Sequence, residues 1–226
     1  MMRKYLSFGI LIVLAVFGLI FGLEKLKNKS PTPQAPAPAS VIPSQTSPAV
    51  ENPSSSTQNT ESPQGQIVEV IADFKARITK KTFGQYITPQ NSPVQPERFT
   101  GYHTGVDVEY QDIATDVSVY TIADGRIVLS ETASGYGGVF MMEFSFDGQT
   151  YAALYGHIRP SSLPKTGTEY KKGQQIAVLG TGYSKETDNE RRHLHFGILK
   201  GSSTNIKGYV STQSQLSPWI DPLSLY

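Results

Sequence analysis

The chain of 226 residues contains no cysteine, which excludes disulfides and thiolate metal sites together. It also has almost no net charge, +1 at pH 7. From Gln66 onward 15 basic residues stand against 16 acidic ones, scattered along the sequence. A balance of that kind does not suit a polyanion-binding surface, so nucleic acid is not expected as a partner. Beyond Ile67 helical periodicity is missing too: no stretch of ten or more residues joins an apolar stripe to helix caps. The glycines at 135–138 and 180–182 complete neither a dinucleotide fingerprint nor a P-loop.

One long apolar run is present. Arg3 and Lys4 precede an uncharged stretch from Tyr5 to Leu23, followed by Glu24, Lys25, Lys27 and Lys29. Such a run, at ~1.5 Å per helical residue, spans about the ~30 Å of a bilayer's hydrocarbon. A cleaved signal peptide would have a shorter core ending in a small-x-small site, and no Ala-x-Ala follows here. Residues 1–29 are therefore expected to form an uncleaved single-pass membrane anchor. Its flanking charges do not fix its orientation. Residues 30–66 hold eight prolines among Ser, Thr and Gln and few large apolar groups. That composition cannot offset the entropy of folding and reads as a disordered tether.

From Ile67 the pattern becomes short alternating apolar runs punctuated by glycine. In "VFMMEFSF" alternation places Phe140, Met142, Phe144 and Phe146 on one face. Asp147-Gly148 then turns the chain into "QTYAALYGHI", a strong hairpin signal. Asp124-Gly125 gives the same signal between "VSVYTIA" and "RIVLS", and "QQIAVLG" and "HLHFGIL" read as further strands. Residues 67–226 are expected to form one all-β domain, mainly antiparallel, with a core lined by Met and Phe.

The four histidines are His103, His157, His193 and His195. In "HLHFGI" strand alternation sends His193, His195 and Gly197 to one face and Leu194, Phe196 and Ile198 to the other. The two imidazoles then stand about 6.6–7 Å apart along the strand. One can bind a metal while the other addresses a metal-bound water; a bare pair of histidines on a solvated strand face remains the alternative. His103 and Asp107 offer a nitrogen and an oxygen four residues apart, with Gly105 permitting a tight backbone between them. Adding one histidine of "HLH" completes the set of three protein ligands usual for catalytic zinc. His157, closing "LYGHI", would be a further contributor. Tyr102 and Tyr155 flank these positions and read as rim or core.

Taken together, "FGQYITP", "YHTGVD", "SGYGG", "LYGHI", "YKKGQQIAVLGTG" and "HLHFGI", in that order over about 83–226, are similar to the lysostaphin/LytM-type zinc endopeptidases, also called β-lytic metallopeptidases. The resemblance implies a compact sandwich-like domain with a catalytic groove, one Zn2+ per domain held by His103, Asp107 and His195, and a catalytic pair of His157 and His193. It implies a substrate among the peptides of bacterial cell-wall peptidoglycan, and so a domain on the extracytoplasmic side of the cell membrane. One departure stands out. The loop before His-x-His is long and charged, "YSKETDNERR", and Glu186, Asp188 and Glu190 in it read as solvated acids rather than ligands.

"LPKTG" at 163–167 matches a wall-sorting signal but precedes about sixty further residues, so it reads as a turn around Pro164 and Gly167. The expectation is a zinc endopeptidase of peptidoglycan stem peptides or cross-bridges. The rivals are a catalytically silent wall-binding or hydrolase-activating domain, and a zinc peptidase of protein substrates.

Overall fold

Alternating aromatic and methionine residues followed by Asp147-Gly148 do make a hairpin. The computed structural model describes residues 67–226; the expected anchor (1–29) and tether (30–66) lie outside the described residues. Twelve strands run through them: β1 (Tyr86–Ile87), β2 (Gly101–His103), β3 (Gly105–Glu109), β4 (Ser118–Tyr120), β5 (Gly125–Ala133), β6 (Gly137–Phe146), β7 (Gln149–Ile158), β8 (Glu169–Tyr170), β9 (Gln175–Val178), β10 (His193–Lys200), β11 (Tyr209–Val210) and β12 (Trp219–Ile220). The helices among the described residues are short 3-10 segments, and none is long and apolar enough to cross a membrane. Every strand pairing is antiparallel.

The large sheet runs β12-β10-β7-β6-β5-β8, with β3 also paired to β10. Strand β10 is its axis: β7 lines one edge, while β3 and then β12 share the other. In β6, Phe140, Met142 and Phe144 enter the main core with Phe146 packed against it, as alternation predicts. Val139 and Met141, on the opposite face, pack with Leu154, Leu199 and Trp219. The sheet is thus covered on both faces, the sense in which the domain resembles a sandwich.

The β6–β7 turn has φ of 49° at Asp147 and 72° at Gly148, the left-handed pair a two-residue hairpin demands. The second expected hairpin, at Asp124-Gly125, does not form. Strand β4 pairs with β9 in a separate two-stranded sheet, while β5 pairs with β6 and β8. The Asp124 carboxylate accepts bonds from the Lys172 amide (2.7 Å) and Lys171 Nζ (3.0 Å) instead. Gly125 is needed because a Cβ there would stand 2.2 Å from the Glu143 carbonyl of β6. The Asp-Gly pair switches the chain between sheets rather than folding it back. The "LPKTG" stretch is a turn as expected, with φ of 88° at Gly167.

Candidate metal centre

Strand pairing assembles the site. Val106 and Val108 of β3 belong to the core, so alternation turns Gly105, Asp107 and Glu109 to the opposite face. On β10, Leu194, Phe196 and Ile198 are core likewise, which turns His193 and His195 the same way. The β3–β10 register sets His195 directly opposite Asp107, His193 opposite Glu109 and Gly197 opposite Gly105. A Cβ on Gly105 would lie 2.3 Å from the Phe196 carbonyl, so this glycine allows close strand approach and supplies no turn. His103 ends β2 and reaches the same point across the bend at Thr104, whose hydroxyl donates to the Lys207 carbonyl (2.7 Å).

The three expected ligand residues meet. His103 Nε2 lies 3.0 Å from His195 Nδ1 and 3.2 Å from Asp107 Oδ1, and His195 Nδ1 lies 3.1 Å from Asp107 Oδ1. All three residues are buried, and they form a group able to hold a metal ion. His103 donates its Nδ1–H to the Thr82 carbonyl at 3.1 Å, which leaves its Nε2 as a lone pair facing inward. Two imidazole nitrogens and a carboxylate oxygen converging this closely form a donor set for a cation, and without one the single proton of neutral His195 can bridge them from Nδ1. Burial depresses the His195 pKa, so the ring is neutral and has a nitrogen lone pair to offer a metal ion. Burial also opposes the Asp107 charge, but His193, His103 and Arg191 outweigh it and hold the carboxyl well below its usual range.

The other two histidines adjoin this group. Their rings lie 4.1 Å apart between centroids, and His193 Nε2 is 3.5 Å from Asp107 Oδ2. His193 donates Nδ1–H to the Arg191 carbonyl (2.9 Å), and His157 donates Nδ1–H to the Tyr136 carbonyl (3.1 Å). Both Nε2 atoms are therefore free to accept a proton. Burial pushes His157 down to about 3 and His193 well below the usual histidine value, so both rings are neutral near pH 7.

His157 arrives by a bulge. Strict alternation would send it the way of Ala153 and Tyr155, into the main core. The register instead slips between Gly138 and Val139 of β6. His157 takes φ of 61°, and Ile158 assumes the core side. A bulge commonly re-aims one side chain in this way.

A groove of about 290 Å3 opens over the site, with Asp107, His157, His193, His195 and Tyr136 among its lining residues. Tyr136 went unremarked as a site residue in the sequence. Its ring centroid lies 5.3 Å from His157 and 5.6 Å from His195, and its hydroxyl is buried without a partner. Gly156 makes room for it, since a Cβ there would come within 2.5 Å of the ring. Of the tyrosines considered from sequence, Tyr155 is core and accepts the Ile122 amide (3.2 Å), and Tyr102 packs against Tyr86.

Buried charged residues such as Lys81, Glu109 and Arg191 were also not anticipated. Lys81 bonds Glu97 and the Tyr209 hydroxyl beneath the groove. Arg191 joins Asp107 to Glu109. The acids of loop 183–192 stand outside the converging group and are not simply solvated. Arg98 binds Glu190 (2.8 Å) and Asp188 (2.9 Å), Asp188 also accepts the Gly135 amide (2.7 Å), and Glu186 accepts the Thr181 amide (2.8 Å).

Residues 101–207, just under half of the chain, match the model of Peptidase family M23. The murein hydrolase activator EnvC of Escherichia coli (strain K12) is 34% identical over 88 residues, 38% of this chain. The match spans only 19% of EnvC. Among solved structures, LytU gives a TM-score of 0.42 at 25% identity, over 65% of this chain and 81% of LytU. A chain of the SpoIIIAH and SpoIIQ complex gives 0.47 at 19% identity, over 71% of this chain and all 100% of that one. The family match bears out the resemblance read from the motifs over residues 101–207, which are similar to Peptidase family M23.

Proposed function

We propose that the chain is a zinc-dependent endopeptidase that hydrolyses peptide bonds in peptidoglycan stem peptides or cross-bridges. The observation that carries this reading is the convergence of His103, Asp107 and His195 within 3.2 Å, beside two neutral imidazoles with free Nε2 atoms. Tetrahedral zinc with bonds of ~2.0–2.1 Å sets its ligand atoms about 3.3–3.4 Å apart, so the group needs to open by only a few tenths of an ångström. His103 Nε2, Asp107 Oδ1 and His195 Nδ1 would hold the ion. When bound, zinc polarises the scissile carbonyl and brings the pKa of a water ligand toward ~7.

The chain's own groups do the rest. His193 Nε2 and His157 Nε2 are the two positions that accept a proton from the attacking water and return it to the leaving amine. Their Nδ1–H bonds to backbone carbonyls fix the tautomer in which this works. The unpartnered Tyr136 hydroxyl lies where it can donate to the oxygen that gains negative charge. In the whole chain, residues 1–29 would anchor this domain to the cell membrane as a single pass. Residues 30–66 would tether residues 67–226 on the extracytoplasmic side, where peptidoglycan lies.

A second reading, a domain that activates other wall hydrolases, is favoured by the name of the matching relative EnvC. The complete donor set supports hydrolysis over it. The test incubates the full-length chain with purified peptidoglycan of several wall types, with and without a chelator, and identifies released fragments by mass spectrometry. Chelator-sensitive appearance of new amino termini is expected. A folded, zinc-loaded chain that releases nothing from any wall would move the reading to activation.

A further inference from the structure

Arg191 is among the largest side chains that the fold buries completely, at about 1% exposure. Its Nη2 donates to Asp107 Oδ2 at 2.6 Å and to Glu109 Oε1 at 2.7 Å, and its Nε donates to both Glu109 oxygens at 3.0 and 2.9 Å. Only Asp107 Oδ1 is left facing His103 and His195. The backbone carbonyl of Arg191 accepts the Nδ1–H of His193. One residue thus restrains a carboxylate from its far side and an imidazole from its rear.

Burying an arginine and a glutamate is costly, and an apolar pair of the same volume often serves stability equally well. Their presence next to the metal group suggests a task other than holding the fold. A free carboxylate has two equivalent oxygens and can rotate between one-oxygen and two-oxygen contact. A guanidinium bound to one oxygen removes that choice. Glu109 in turn balances the cation, so that Arg191 orients Asp107 without leaving an excess positive charge beside a site meant for a metal ion.

We infer that Arg191 is a positioning residue: its guanidinium, braced by Glu109, holds Asp107 to a one-oxygen contact with the metal, and its carbonyl fixes the proton-accepting face of His193. The inference rests on the metal-site part of the function proposed above, and does not depend on which bond is cut.

The experiment measures Zn2+ affinity of the full-length chain by competition with a chromogenic chelator, and the visible spectrum of the Co2+-loaded protein. The informative variant is Arg191→Met combined with Glu109→Gln, because removing both charges keeps the net charge around Asp107 unchanged and strands neither member of the Arg191–Glu109 pair. Its Zn2+ dissociation constant is expected to rise roughly 10–100-fold. Its Co2+ absorption should weaken as Asp107 gains freedom to bind through both oxygens, with the urea midpoint little changed. Arg191→Lys keeps the charge but not the fork, and should fall between the double variant and the native chain. Should the double variant fail to fold, Arg191→Lys alone decides. Native Zn2+ affinity and an unaltered Co2+ spectrum in a folded variant would overturn the inference. A native chain that binds no Zn2+ would overturn the metal-site reading itself, and this inference with it.

Discussion

At the residue scale, His193 and His195 differ by two positions and by task. His195 Nδ1 belongs to the converging group, whereas His193 Nε2 faces Asp107 from 3.5 Å and its own Nδ1–H is engaged by a carbonyl. His195→Ala should therefore abolish bound zinc and peptidase activity together, while His193→Ala should retain zinc and lose turnover. Metal content by mass spectrometry beside an activity assay separates the two. Full zinc in His195→Ala would refute the ligand assignment. Tyr136 offers a finer test. Its hydroxyl has no partner among the described residues, so Tyr136→Phe leaves no bond unmade in the resting protein. The expected result is a fall in kcat of roughly 100–1,000-fold, with KM and bound metal unchanged. A change confined to KM would instead make the hydroxyl a ground-state contact.

At the element scale, the site exists because β3, β10 and β7 lie side by side in one register. Gly105 is the point at which that closeness can be tested, because an added Cβ would meet the backbone carbonyl of Phe196, which cannot swing aside. Gly105→Ala should cost about 1–3 kcal/mol, or 2–4 °C of melting temperature per kcal/mol in a domain of this size, and should weaken zinc binding as β3 and β10 separate. Gly148→Ala is the control. Nothing lies within 4 Å of its Cβ, but its φ of 72° costs a non-glycine residue ~1–2 kcal/mol. It should lower the melting temperature yet leave zinc affinity alone. Equal zinc affinity in both variants would mean that strand spacing does not set the metal group.

The same elements show what the sequence could and could not convey. Faces set by alternation were readable: His193 and His195 against Leu194 and Phe196, and Phe140, Met142 and Phe144 against the core. The Asp147-Gly148 turn was readable because its conformation is local. Asp124-Gly125 misled because the same dipeptide serves a sheet switch whose partner, β8, lies some forty-five residues on. The bulge at His157 inverts alternation through a slip against β6, and nothing within "LYGHI" announces it. Nothing beside Arg191 or Lys81 in the sequence marks them as buried, because the partners that pair them lie outside their own segments. One signal was available: alternation along β3 puts Glu109 on the same face as Asp107, a second acid in need of a buried cation.

At the scale of the whole molecule, the buried titratable groups act together on stability. In the metal-free chain His157 is pushed down to about 3 by burial, and His193 and His195 are lowered for the same reason. An unfolded histidine takes a proton near pH 6.5. As pH falls below that value, the unfolded chain binds protons that the folded chain refuses, so stability drops with falling pH. The carboxylates add to this with the same sign. Asp107 is held well below its usual value, Glu97 is lowered by Lys81 and the Phe99 amide despite its burial, and Asp188 is lowered chiefly by the Gly135 amide. Their contribution is complete above their unfolded values near 4 and fades as pH falls through the folded ones. The metal-free chain should therefore lose stability continuously from about pH 6.5 downward, by up to about 1.4 kcal/mol per pH unit for each proton involved. Urea midpoints between pH 7.5 and 5.0 measure this directly. His157→Asn removes one such proton, and asparagine tolerates the left-handed backbone at that bulge, so its profile should be shallower than that of the native chain. A flat native profile over that range would mean that these imidazoles reach water in the folded chain, and with it that the groove does not keep them neutral.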